Sequence, residues 1–359
     1  MKYFLIAGEA SGDLHASNLM AALKKQDAEA DFRFLGGDLM QAVGGTLVKH
    51  YRDMAFMGFI PVLLNLRTIL NNMKACQEEI RQYRPDVVIL IDYPGFNLKI
   101  AKYVKTQLGL PVYYYISPKI WAWKQYRIKD FRRYVDRMFC ILPFEVEFFR
   151  NLDYPVDYVG NPSVDSVACY REKQAAGPDT FREDEQLDER PTMLKVAAAY
   201  PGHQPVIAGA PGLEPEYYRQ YIGDADVKIV FGKTYPLLSH SDAALVTSGT
   251  ATLETSLFRV PQVVCYYVVA GRLASFIFRH FFHTKYISLV NLIAGREVVQ
   301  ELFGVRFSYD QIHDELGRVL NDHAYRRRML DGYDEMIRLL GKPGASRRTA
   351  ELIYQSLKH

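Results

Sequence analysis

The 359-residue sequence predicts an α/β protein of two doubly wound lobes facing across a cleft, and three observations carry that prediction. The chain exceeds one ordinary core, since domains usually hold about 100–200 residues. Short apolar runs bounded by turn residues recur in both halves with helix-like stretches between them, the pattern of a parallel sheet covered by helices. With 49% hydrophobic and 24% charged residues, the composition suits folded cores rather than a disordered chain.

In order along the chain, the first lobe has strands at Tyr3–Ala7, Val87–Ile91, Val112–Ile116 and Met138–Leu142. Helices are expected at Leu14–Lys25, Pro61–Arg81, Leu98–Gln107 and Phe144–Asn151, the second with a proline in its first turn, where no backbone partner is lost. This lobe closes near Gly160-Asn161-Pro162, giving a first domain over 1–165. Residues Arg171–Arg190 are dense in charge and offer little to bury, so they read as a surface excursion. The second lobe, 166–340, has strands at Pro205–Gly209, Val227–Phe231, Ala243–Val246 and Pro261–Tyr267. The tail is helical from Tyr309 to Lys358 with a break at Gly341-Lys342-Pro343-Gly344, and its last segment, 341–359, is expected to pack back on the first lobe.

Charge and cysteine usage bound the function. With 44 basic and 41 acidic residues the net charge is +3, which argues against a dedicated nucleic-acid binder. The four cysteines lack the paired spacing of zinc sites or disulfide frameworks, pointing to a reducing, cytoplasmic compartment. The apolar start is too short for a signal peptide or a membrane span. No Ser-His-Asp order or HExxH motif suggests hydrolase or metal chemistry.

Strand-ending loops hold the candidate chemistry, as ligand sites of open α/β sheets do. The turn Thr247-Ser248-Gly249-Thr250 precedes a helix-forming run containing Glu254, which aims free N–H groups at an anion such as a diphosphate; an ordinary capped helix is the plainer account. Gly8-Glu9-Ala10-Ser11-Gly12-Asp13 follows the first strand and matches neither the dinucleotide fingerprint nor the P-loop, so Ser11 or Asp13 capping the next helix serves equally. Asp92 ends a buried run and precedes Tyr93-Pro94-Gly95-Phe96-Asn97, a place for a general base or for a turn-stabilising carboxylate. Ser117-Pro118-Lys119-Ile120-Trp121-Ala122-Trp123-Lys124 holds both tryptophans and leads into Arg127, Lys129, Arg132 and Arg133, which suits a phosphorylated amphiphile or a solvated basic helix beside core indoles. Phe56–Leu70 is apolar on more than one stripe, yet shorter than a span of about 20 residues, so it lies at an interface, in a subunit contact or in a core.

Together these motifs, with Leu142-Pro143-Phe144-Glu145 and Ser288-Leu289-Val290-Asn291-Leu292-Ile293-Ala294-Gly295-Arg296-Glu297, resemble the lipid-A-disaccharide synthase family over nearly the whole chain. The resemblance implies two Rossmann-like lobes of the GT-B type. It also implies inverting transfer of a diacylated glucosamine from a UDP donor to the 6-hydroxyl of diacylglucosamine 1-phosphate, with no metal or other cofactor. Asp92 then matches the family base, Ser248, Gly249 and Thr250 the donor phosphate turn, Glu254 the ribose contact and Asn291 a nucleotide contact. Glu9, Ser11, Gly12, Lys119 and Arg127 would line the acceptor side. Phe59, Leu63, Leu66 and Arg67 would meet the inner face of the inner membrane, with the enzyme held there peripherally. The apolar cluster Phe276-Ile277-Phe278 with Phe281-Phe282 suits a homodimer contact or a buried helix.

This sequence departs from the family at one place. The strand and Gly-Ser-Arg turn that open the family's second lobe have no counterpart. Glu189-Arg190-Pro191 passes directly into Thr192–Tyr200, read as the following helix. A βα piece of roughly 15–20 residues is missing by that reading, which implies weak donor binding and low turnover despite Asp92. Another UDP-sugar enzyme of the same fold and a catalytically silent binding protein stand as alternatives. A dehydrogenase is disfavoured because no GxGxxG follows a strand.

Overall fold

Val87–Ile91 is buried along its whole length, which is why it reads as an uninterrupted apolar run: a parallel strand with helices on both faces has no solvent side. In the computed structural model this strand is β4 of a seven-stranded, all-parallel sheet. The structure describes residues 1–54, 66–175, 181–185, 192–194, 200, 202–210, 213–222, 225, 227–247, 249–268, 278, 280 and 284–358. The chain divides into two units, Met1–Pro162 with Pro343–His359, and Ser163–Lys342.

The sheet of the first unit runs β3-β2-β1-β4-β5-β6-β7, with β1 Lys2–Ala7, β2 Asp31–Gly36, β3 Thr46–His50, β5 Val112–Tyr115, β6 Arg137–Cys140 and β7 Asp157–Tyr158. Strands β2, β3 and β7 were absent from the expected set. Asp31 and Arg33 interrupt the apolar pattern of β2, β3 is only half-buried beyond it, and β7 is a two-residue edge. One core lies under helices Leu66–Tyr83, Pro94–Tyr103, Ile128–Tyr134 and Pro143–Arg150, through Cys76, Ile80, Ile100, Phe131 and Phe149. The other face is covered by helices Ala10–Gln26 and Ala345–Lys358, through Leu19, Leu23, Ala350 and Ile353. The last helix is tied down by polar contacts as well: Arg348 Nε donates to the Val159 carbonyl at 2.8 Å, and Arg137, paired with Asp157 at 2.7 Å, donates to the Leu352 carbonyl at 3.2 Å.

The second unit holds a six-stranded parallel sheet ordered β10-β9-β8-β11-β12-β13. Its strands are β8 Thr192–Leu194, β9 Gln204–Gly209, β10 Lys228–Phe231, β11 Ser241–Val246, β12 Gln262–Tyr266 and β13 Glu301–Phe303. Two expectations are corrected here. Thr192–Leu194 is a strand and not the start of a helix; it fills the central position between β9 and β11, where leaving the slot open would strand the hydrogen-bonding groups of both neighbours. Residues 195–199 lie outside the described residues. The stretch after Arg171 is not all surface: helix Pro162–Ala175 runs on into it, and Phe181 is buried against Val206, Val230 and Leu237. The helical tail has a further break at Asp322, whose carboxylate accepts from the amides of Ala324 and Tyr325 and so starts a new helix at His323.

Among the described residues no helix is long and apolar enough to cross a membrane. Of the membrane-facing set, Phe59 and Leu63 lie outside the described residues, as does the Leu66 side chain; Arg67 is exposed and Leu70 is 46% exposed. Of the aromatic cluster, only Phe278 is described; it packs on Phe303 with ring centroids 5.4 Å apart.

Candidate active site

A doubly wound sheet opens a crevice where its strand order reverses. In the first sheet that point lies between β1 and β4, whose register pairs Ala7 with Ile91, so the next residues, Gly8 and Asp92, leave the sheet side by side. Asp92 and Tyr93 both adopt left-handed backbone, with φ of 42° and 46°. Pro94 begins the following helix, where a missing N–H costs nothing. The Tyr93 ring lies flat over Gly8, and a Cβ there would come within 2.4 Å of it, so only glycine fits.

Desolvation, reinforced by the nearby Glu9 carboxylate, pushes the Asp92 carboxyl up to about 6; Lys119 and the Tyr93 amide pull the other way. Glu9, Asp92 and Lys119 are thus brought within electrostatic reach of one another. Ser11 Oγ donates to Glu9 at 2.7 Å. Gly12 is buried where helix Ala10–Gln26 crosses the end of β1, a Cβ there meeting that of Ala7 at 3.3 Å. Arg127 is half-buried and close enough to the Tyr114 hydroxyl to oppose its burial-raised pKa. Asp13 does not cap its own helix. It is buried and accepts from the amides of Gly37, Leu39 and Met40, at 2.8, 3.1 and 3.1 Å, starting the helix Asp38–Val43 instead.

Two separate motifs prove to be one piece of scaffolding. Glu145, 1% exposed, accepts from Ser117 Oγ at 2.6 Å, Trp121 Nε1 at 3.1 Å, and the amides of Leu142 and Ile141 at 3.0 and 3.2 Å. Burial pushes its carboxyl up to about 7 against those four donors. Trp121 also meets Phe144 edge-on at 5.0 Å, so the loop carrying Lys119 is anchored at both ends of its apolar part. The two tryptophans differ in role: Trp121 is core, whereas Trp123 is 48% exposed with Lys124 Nζ 3.7 Å over its ring.

In the second sheet the order reverses between β8 and β11, and the turn after β11 leads into helix Gly249–Leu257. Ser248 lies outside the described residues; Gly249 and Thr250 are half-buried at the helix start. A cavity of about 320 Å³ opens beside them, lined by Ile207, Leu213, Tyr218, Val246 and Glu254 among others. Its walls are largely apolar with one carboxylate, the build of a small-molecule pocket. Tyr235 donates to Glu254 Oε1 at 2.8 Å, while burial raises the carboxyl above its usual range. Tyr235 escaped sequence reasoning because nothing around it marks a motif.

Asn291 is given a different job from the one expected. It is fully buried; its Oδ1 accepts from the amides of Val298 and Val299 at 2.7 and 3.0 Å, and its Nδ2 donates to the Val299 carbonyl and Glu301 at 2.8 and 3.0 Å. All four positions of the amide are therefore occupied by its own chain. It braces the turn between helix Leu289–Ala294 and β13.

Comparison with known proteins adds the following. The family model described as Lipid-A-disaccharide synthetase matches residues 3–200 and 214–353. A lipid-A-disaccharide synthase of Myxococcus xanthus is 37% identical over 376 aligned positions, covering 99% of this chain and 97% of that protein. One of Syntrophus aciditrophicus is 35% identical over 375 positions, with the same coverage. The alignment of 376 positions against a chain of 359 leaves at least 17 of the first relative's residues without a counterpart. Among solved structures, the Methanocaldococcus jannaschii UDP-GlcNAc 2-epimerase in complex with UDP-GlcNAc and UDP superposes with a TM-score of 0.67 at 11% identity, covering 98% of this chain and 99% of that one. Sucrose-phosphate synthase of Thermosynechococcus elongatus gives 0.59 at 13%, covering 100% and 99%. At such identities these likenesses speak for the fold, which is of the GT-B type.

Proposed function

Because the chain belongs to the lipid-A-disaccharide synthase family, we propose that it joins UDP-2,3-diacylglucosamine to 2,3-diacylglucosamine 1-phosphate, yielding lipid A disaccharide 1-phosphate and UDP. The observation that carries this reading for the chain's own residues is the Asp92 carboxyl, held at the switch point of the first sheet and raised to about 6. Such a group is ionised at neutral pH yet basic enough to take a proton as bonds change. The acceptor 6-hydroxyl oxygen attacks the anomeric carbon while its proton passes to Asp92. The bond from that carbon to the diphosphate oxygen breaks, its electron pair leaving with UDP, and the configuration inverts. Glu254 receives the ribose hydroxyls, and the amides at the start of helix Gly249–Leu257 face the diphosphate. Glu9, Ser11, Lys119 and Arg127 attend the acceptor.

Incubation with the two substrates tests the reading: UDP and disaccharide should appear together. Tight UDP binding without disaccharide would point to another acceptor. A second reading, an impaired relative, draws on the nine residues between β8 and β9, too few for the dozen or more that a parallel crossover ordinarily takes, and on the 17 unmatched positions. It predicts weak UDP binding and little turnover.

The same proposal places the enzyme peripherally on the cytoplasmic face of a membrane. Exposed Arg67 and Leu70, with Trp123, Tyr126, Lys129 and Arg133 exposed in the same unit, supply apolar and cationic groups for anionic lipid. Replacing Leu63 and Leu66 by Ser should release the protein from anionic liposomes without lowering its melting temperature; unchanged co-sedimentation counts against membrane docking here. Self-association through residues 276–282 belongs to the same reading.

A further inference from the structure

We propose that the Tyr114 hydroxyl and the Asn97 amide clamp the Asp92 carbonyl and thereby fix the direction of the Asp92 carboxylate, which makes both of them positioning residues for the transfer. The inference rests on Asp92 being the base. Two successive left-handed residues that are not glycine form a disfavoured backbone, one that persists only where its surroundings over-determine it. Those surroundings are specific. Asn97 Nδ2 donates to the carbonyls of Asp92 at 2.8 Å and Ile91 at 3.2 Å, and the Tyr114 hydroxyl donates to the same Asp92 carbonyl. Two donors from different elements thus converge on the Asp92 carbonyl. From the other side, the Asp92 amide donates to Tyr115 at 3.2 Å and the Asn97 amide to the Tyr93 carbonyl at 3.1 Å.

Ordinary helix capping does not account for this arrangement. Helix Pro94–Tyr103 has no side-chain cap, and Tyr114 comes from β5, a separate strand. Both residues are 0% exposed, and a hydroxyl carried into the core on a buried strand needs a compensating partner. The partner it has is the one carbonyl whose rotation would turn Asp92 away. Gly8 completes the mould by letting the Tyr93 ring lie where any larger residue would displace it.

Tyr114→Phe removes the hydroxyl and little else. Turnover should fall about 10-fold or more with both KM values nearly unchanged, as a small misalignment of a reacting group does. In parallel, carboxyl carbon NMR, with the Asp92 signal assigned by its loss in Asp92→Asn, should show the Asp92 titration midpoint falling from about 6 toward the ordinary carboxylate range as the group turns to water. A melting temperature close to the parent's separates this shift from a loosened core, which would also admit water and lower the midpoint. Asn97→Ala should repeat the NMR shift. Unchanged midpoints in Tyr114→Phe and Asn97→Ala would overturn the clamp, and the NMR arm needs no turnover. Failure of the underlying reading has its own signature, full transfer activity in Asp92→Asn.

Discussion

Asp92→Asn should lower kcat by about 10²–10⁴-fold, the usual contribution of a positioned general base, while UDP affinity stays as in the parent. The substitution keeps the size of the side chain and removes its ability to take a proton. In the parent, activity should rise with pH through about 6 and level off above it, since the base works only when deprotonated. Stability should move in the opposite sense. A carboxyl whose folded pKa lies above its unfolded value of 3.8 costs the fold nothing below that value and progressively more up to about 6, where the penalty is complete. The Asn variant should therefore melt no lower than the parent at neutral pH, and slightly higher. An Asn variant that retains its turnover, or a parent profile flat between pH 5 and 7, would remove Asp92 from the mechanism.

Asn291→Ala should destabilise the second unit rather than weaken a nucleotide contact. The deletion leaves the amides of Val298 and Val299 and the Val299 carbonyl without side-chain partners in a buried turn. At about 1–3 kcal/mol for each of the three groups left unsatisfied, the loss is roughly 3–9 kcal/mol, a large part of the 5–15 that domains possess. The melting transition of that unit should drop by roughly 10 °C. Differential scanning calorimetry checks this, and a normal melt with UDP affinity alone reduced would return Asn291 to the ligand.

These two residues show where a sequence is transparent and where it is not. The place of Asp92 at the end of a strand was legible because a run buried on both faces ends abruptly in a polar residue shortly before a proline. The bracing role of Asn291 was hidden because its neighbours are apolar on either side, which is equally the setting of a buried brace and of a binding residue; its partners are seven to ten positions away. Strand β8 was misread as helix because three residues carry no measurable period, and its pairing with β9 and β11 alone identifies it. Glu145 and Ser117 lie 28 positions apart in the chain, too far for any local pattern to join them. Tyr114 sat unnoticed among three consecutive tyrosines of β5, although its hydroxyl donates to the Asp92 carbonyl.

The helix Ala345–Lys358 has a consequence for how the protein is made. It covers a face of the first sheet through Ala350 and Ile353, although the rest of that unit is complete by Pro162. During synthesis the ribosome must therefore deliver the whole continuous second unit, Ser163–Lys342, before the first can be sealed. At about 5–20 residues per second, that interval is roughly 10–40 s, in which the face that Ala350 and Ile353 cover stays unsealed. The second unit, uninterrupted in sequence, is free to mature alone, so the order of birth and the order of completion are reversed. A nascent chain stalled shortly before residue 345 would present an apolar face to chaperones, and release of the last helix would withdraw it.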